Sequence, residues 1–167
     1  MKKIHFMNIV TIVLFSIVAT GLDPFKENYS TLSLTRNGYF LFLFMGILAG
    51  FTLAYETYLI NNRKYAYIMF CALLLGVIIP HDISYNLQGN LHLINAYLGF
   101  SVMMIITFIN IYKFSLRNNK KGKYILYFTL ICFAISVYLY LDKMCVNTIS
   151  ELIIMIAVQI DHLLMSL

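Results

Sequence analysis

Six apolar runs follow one another along this chain, at residues 4–22, 39–60, 65–79, 91–112, 124–141 and 151–167, with short polar connections between them. At about 1.5 Å of rise per helical residue, a run near 20 residues long crosses a hydrocarbon layer ~30 Å thick. In hydrocarbon each backbone N–H and C=O must find its partner inside its own segment, so such runs fold as helices. The fold expected is all-α, a six-transmembrane-helix bundle, with residues 1–167 forming a single integral membrane domain. Only 11% of the residues are charged, less than half the ~25% of a soluble domain. No stretch is polar enough to make a second, soluble unit.

The first run follows Met1-Lys2-Lys3. That layout resembles a signal peptide, with residues 18–21 as a small-residue cleavage zone, but its length favours a retained helix. Asp23-Pro24 ends it, because proline disfavours helical geometry in the residue before it. Residues 23–37 then make the longest polar connection. The second run carries Gly46, Gly50 and Ala54, small residues at every fourth position. Such a stripe lets another helix approach closely. It packs either inside the chain, the reading we favour, or against a membrane protein partner or a second copy in a homodimer.

Orientation follows from the basic residues. If the N-terminus is cytoplasmic, the cytoplasmic segments hold Lys2, Lys3, Arg63, Lys64, Lys113, Arg117, Lys120, Lys121 and Lys123, and the opposite side holds only Lys26, Arg36 and Lys143. Positive charge is retained on the cytoplasmic side, so the expectation is N-in and C-in, with residues 113–123 as a basic loop. Tyrosines at the run ends, among them Tyr39, Tyr58, Tyr112 and Tyr124, match an interfacial aromatic belt. The net charge of +5 therefore answers to membrane lipids, and nucleic acid is not an expected partner. Cys71 and Cys132 lie in apolar runs and Cys145 in a connection, which argues against a disulfide framework.

Residues 79–100 bring a proline, two histidines, an aspartate, three asparagines, a glutamine and two glycines to one junction between apolar runs. Polar groups there must find partners or water. With the orientation above, His81, Asp82, His92 and Glu151 fall at the outer surface, beside Asp23, Glu27 and Asp142. His92 is expected to bond a carbonyl or carboxylate at the mouth of a cavity, Asp82 to brace the loop, and Gly89 to permit a turn or close approach before the fourth helix. The same histidines with an acidic neighbour could ligate a divalent metal, although the spacing matches no known zinc signature. At the inner side lie Glu56, Asn110, Asp161 and His162. Asp161 and His162 are adjacent, so they point about 100° apart. Interfacial exposure is the expected state of these groups, and a proton relay through Glu56 with Asp161 or His162 is the functional alternative. No nucleophile elbow, phosphate loop or dinucleotide fingerprint is present, and the identity of any cofactor or metal stays open.

Six runs in 167 residues, Pro80-x-Asp82 leaving the third, Gly89-x-x-His92-x-x-x-Ala96 entering the fourth, and Tyr29-Ser30-Thr31-Leu32-Ser33 before Gly38-Tyr39-Phe40 together resemble a bacterial family of six-helix integral membrane proteins of unknown function. That family is itself distantly similar to the DRAM-like and Frag-type membrane proteins. The resemblance implies the fold and a polar outer mouth, not a reaction.

Three functions are weighed. The leading one is binding of a lipid or small amphiphile in an outward-facing cavity near His92, Asp82, His81, Gly89 and Glu151, as sensor, transport accessory or immunity-type protein of the bacterial cytoplasmic membrane. The second is a metal-assisted hydrolase or lipid-modifying enzyme at the same mouth. The third is a proton-coupled carrier using Glu56, Asp161 and His162.

Overall fold

A computed structural model describes residues 2–81, 87–143 and 146–167. Among them lie six α-helices: α1 (Lys2–Ala19), α2 (Arg36–Ile60), α3 (Arg63–Ile78), α4 (Leu87–Arg117), α5 (Asn119–Lys143) and α6 (Thr148–Ser166). A short 3-10 segment, Tyr29–Leu34, precedes α2. The chain is a helical bundle, as its apolar runs require.

The six runs differ in spanning length. Among the described residues α2, α4, α5 and α6 are long and apolar enough to cross a membrane, whereas the apolar part of α1, Ile4–Ala19, is shorter, and α3 has 16 residues. The structure thus sorts the six expected spans into four helices of full spanning length and two shorter ones beside them. Both shortfalls have local causes. The N–H groups of Thr20, Gly21 and Leu22 bond three residues back, to the carbonyls of Ile17, Val18 and Ala19, so α1 tightens and stops before Leu22. Ile79 is extended (φ −98°, ψ 120°), the conformation imposed on a residue that precedes a proline.

The basic loop is also corrected. Lys113 and Arg117 continue α4, Lys120, Lys121 and Lys123 open α5, and only Asn118 between them is non-helical. The two helices double back tightly enough that a Cβ on Gly122 would strike the side chain of Ser115. Long, straight-chain cations tolerate helix well, which is why a charge-rich stretch need not be a loop.

The connections sort to two ends. The 23–35 segment, the α3–α4 junction and the α5–α6 junction meet at a loop end, where the His81 N–H donates to Ser33 Oγ (2.6 Å) and the Thr148 N–H to the Glu27 carbonyl (2.7 Å). At the opposite, terminus end, the α2–α3 turn meets α4: Asn61 Nδ2 donates to Asn110 Oδ1 (3.2 Å).

The stripe on α2 faces inward within the chain. A Cβ on Gly46 would come within 2.5 Å of Val77, and one on Gly50 within 3.2 Å of Phe70, so α3 occupies both positions. On the other side of α3, a Cβ on Gly99 of α4 would run into the Ala72 carbonyl oxygen. Backbone contact this close is how helices associate where lipid removes the hydrophobic drive. The core between α2, α3, α4 and α6 is built from Leu53, Met69, Met103, Ile106, Ile154 and Val158. Of the apolar stretch of α6, 50% is buried, against 17% for α5, so α6 is the central helix and α5 a peripheral one. Phe6, Phe40, Phe44, Ile94, Ile105 and Ile131 point outward, where acyl chains are the matching solvent.

Candidate functional site

The loop end is built by capping. α6 begins with Asn147, whose side chain accepts from the Ser150 N–H (3.0 Å) while Ser150 Oγ accepts from the Asn147 N–H, a reciprocal capping box. The first turn of a helix still has N–H groups without intrahelical partners. The 23–28 segment supplies carbonyls for two of them, Glu27 for Thr148 and Pro24 for Ile149 (3.3 Å). That segment holds its own shape through Asp23, whose Oδ1 accepts from the N–H groups of Phe25 and Lys26 (both 3.1 Å). It then lays Tyr29 against α6 and α1. Glu151 Oε2 accepts the Tyr29 N–H (2.7 Å), and the Tyr29 hydroxyl donates to the Phe15 carbonyl (2.7 Å). Burial, reinforced by the Glu151 carboxylate, pushes the Tyr29 phenol well above its ordinary pKa, so it remains a donor.

The α3–α4 junction follows the same logic at a helix C-terminus, where carbonyls lack partners. Tyr39 donates to the Ile78 carbonyl (2.8 Å), and His92 Nδ1 to the Ile79 carbonyl (2.6 Å). A carbonyl only accepts, so His92 Nδ1 carries hydrogen. The His81 and His92 rings lie 5.1 Å apart, tilted by 58°. Gly89 is buried in the first turn of α4, inside the helix and not in a turn before it. Asp82 lies outside the described residues.

Between α4, α5 and α6, beneath the 23–35 segment, is a cavity of about 290 Å3. Its loop-end rim carries Asn28, His92, Tyr140, Ser150 and Glu151, and its floor carries Phe42, Phe100, Phe133 and Ile154. A second hollow of about 150 Å3 shares Phe42, Gly76, Phe100 and Glu151 with it and runs toward Met45 and Met103. A Cβ on Gly76 would meet nothing within 4 Å. Of the residues expected at the outer mouth, His92 and Glu151 therefore share one cavity, while His81 lies against His92 with its ring tilted and Gly89 is buried in the helix. Among the described residues no three His, Cys, Asp or Glu side chains are grouped to hold a metal ion.

The terminus end differs from expectation. Glu56, Asp161 and His162 are fully buried, each 0% exposed, and none reaches the interface. Their helices turn them toward one another's neighbours. Asp161 Oδ2 accepts from Thr129 Oγ1 of α5 (2.6 Å), while His162 Nε2 accepts from Asn110 Nδ2 of α4 (3.0 Å) and its Nδ1 donates to the Val158 carbonyl (2.9 Å). The two adjacent side chains thus face different helices, as their 100° separation demands. Asn110 also donates to Thr57 Oγ1 (3.1 Å) and accepts from Asn61, whose oxygen receives Lys113 Nζ.

Glu56 has a separate set of neighbours. Its Oε2 accepts from Asn8 Nδ2 (2.8 Å), which also reaches the Gln159 carbonyl (3.2 Å), and its Oε1 lies 3.8 Å from His5 Nδ1. Asn8, Gln159 and Thr129 were not singled out from the sequence. The available signal was an amide or hydroxyl standing alone in an apolar run, and for Asn8 its position one turn beyond His5.

No family model, no curated protein and no solved structure matches this chain.

Proposed function

We propose that this chain is a multipass protein of the bacterial cytoplasmic membrane that binds a lipid or small amphiphile in the cavity between α4, α5 and α6. The observation that carries the reading is the cavity's polarity gradient: hydroxyls, an amide, His92 and Glu151 at the loop end, and aromatic and aliphatic side chains about two helical turns deeper. Ligand sites are concave, mostly apolar and equipped with a few convergent polar groups. At about 290 Å3 this one lies at the small end of the ~300–1,000 Å3 range, which suits a short amphiphile or one acyl segment of a lipid. The rim groups accept and donate hydrogen bonds to a headgroup, and the floor takes the chain. The resemblance to six-helix proteins of unknown function belongs to the same proposal.

The proposal includes six crossings, N-in and C-in, with the cavity facing outward. Arg63, Lys64 and the cations around Asn118 gather at the terminus end of the bundle, which supports placing that end in the cytoplasm. The shorter helices α1 and α3 cross by local thinning of the bilayer and by flanking residues that reach the interface. Single-cysteine labelling checks the threading: Lys120→Cys and Lys143→Cys react with membrane-impermeant reagent from opposite sides, and reaction from one side overturns it.

Native mass spectrometry from mild detergent tests the ligand. The wild-type chain retains a copurified amphiphile, and Gly76→Leu, whose side chain grows into open space, releases it without loss of helix content. Equal retention by both proteins, or retention by neither, refutes the reading.

A further inference from the structure

Side chains of α1 and α2 meet at the terminus end with hydrogen-bonding capacity left over, and α6 joins them through the Gln159 carbonyl, which accepts from Asn8 Nδ2. His5 and Asn8 come from α1, Glu56 from α2 and Gln159 from α6. Among the described residues, both His5 ring nitrogens, Asn8 Oδ1, Glu56 Oε1 and both polar atoms of the Gln159 side chain are buried and without a hydrogen-bond partner. One such atom costs about 1–3 kcal/mol, so a cluster of six calls for an occupant. The unmet groups comprise both acceptors (Asn8 Oδ1, Glu56 Oε1, Gln159 Oε1) and donors (Gln159 Nε2 and one His5 nitrogen). A bare cation wants acceptors only, whereas water supplies and receives hydrogens and makes about three such bonds when buried.

Among the described residues the surroundings are short of countercharge. From α1, His5 faces Glu56. From α6, Asp161 is turned to Thr129 and His162 to Asn110. From α4, Lys113 is held by Asn61, and from α3, Arg63 lies along Tyr67. No cation among these bonds Glu56. The His5 side chain is 12% exposed while that of Glu56 is 0% exposed, so of the two His5 is the one that reaches the outside at the terminus end of the bundle.

We propose that His5, Asn8, Glu56 and Gln159 enclose a hydrated proton-binding site, in which Glu56 takes up and releases a proton through buried water and His5. The proton moves from hydronium at the terminus end to a His5 ring nitrogen, the opposite nitrogen gives its proton to the water, and the water gives one to Glu56 Oε1. Charge and atoms balance, and no oxidant or further reactant is involved. This site differs from the relay of Glu56 with Asp161 or His162 weighed as the alternative from sequence, and it stands independently of the amphiphile cavity.

Infrared difference spectroscopy of the full chain in lipid nanodiscs, stepped in pH, tests it. The wild-type protein gives a protonated-carboxyl band that shifts in D2O and is absent from Glu56→Gln, a variant that still accepts the Asn8 hydrogen bond. His5→Ala, a partly exposed position, keeps the band but slows its exchange in D2O by roughly tenfold or more, the loss expected when a positioned proton carrier is removed. A band unchanged in Glu56→Gln overturns the proposal, as does one that does not exchange in D2O. A response to sodium at constant pH with none to pH itself makes the site a cation site and equally overturns it. If Glu56→Gln does not fold, the exchange rate of His5→Ala decides alone, and an unaltered rate refutes the route.

Discussion

The two ends of this bundle satisfy polar groups in opposite ways. At the loop end, side chains bond backbone: Tyr29 to Phe15, Tyr39 to Ile78, His92 to Ile79, with Glu27 and Pro24 capping α6. At the terminus end, side chains from different helices bond one another: Asn8 with Glu56, Thr129 with Asp161, Asn110 with His162. The difference reflects what each end has to spare. Helix termini and loops expose unpaired carbonyls and N–H groups that a side chain can claim. Helix interiors have consumed theirs, so a buried carboxylate there depends on other side chains. The loop end can thus open a cavity while its side chains claim the backbone groups around it, whereas among the described residues the terminus end strands several polar atoms.

That contrast makes graded predictions. Asn8→Leu removes the only hydrogen bond to a Glu56 oxygen among the described residues and costs about 3 kcal/mol, the upper range for stranding a buried polar group, read as a lower thermal midpoint by circular dichroism in detergent. Thr129→Val keeps the shape and removes the donor to Asp161, with an expected loss of about 2 kcal/mol by the same measurement. Tyr29→Phe at the loop end deletes one bond to a backbone carbonyl and costs about 1 kcal/mol. Gly76→Ala adds a methyl in open space and a better helix former, stabilising by about 0.5–1 kcal/mol while weakening amphiphile retention. A larger loss from Tyr29→Phe than from Asn8→Leu would break the comparison. A measurable cost for Gly76→Ala would mean that the cavity floor is packed.

The departures from the sequence reading share a cause. The basic stretch reads as a loop because charge is associated with water, yet Lys120, Lys121 and Lys123 wind into α5 with their heads outside. Glu56, Asp161 and His162 read as interfacial because they stand near run ends, and they are buried because α6 lies at the centre of the bundle. Proximity to a run end measures depth along a helix, not the direction in which a side chain points.

Sequence alone determined that this chain is helical, roughly where each helix begins and ends, and that its outward face suits acyl chains. Those properties rest on local spacing and on the mean polarity of each run. Only the tertiary structure decided that Asn8 meets Glu56 and the Gln159 backbone 151 positions away, that α3 covers Gly46 and Gly50, and that a cavity lies between His92 and Glu151. Pairings of that kind depend on the azimuth at which each helix docks, set by close glycine contacts and by competition among several polar partners, and no single segment carries that information.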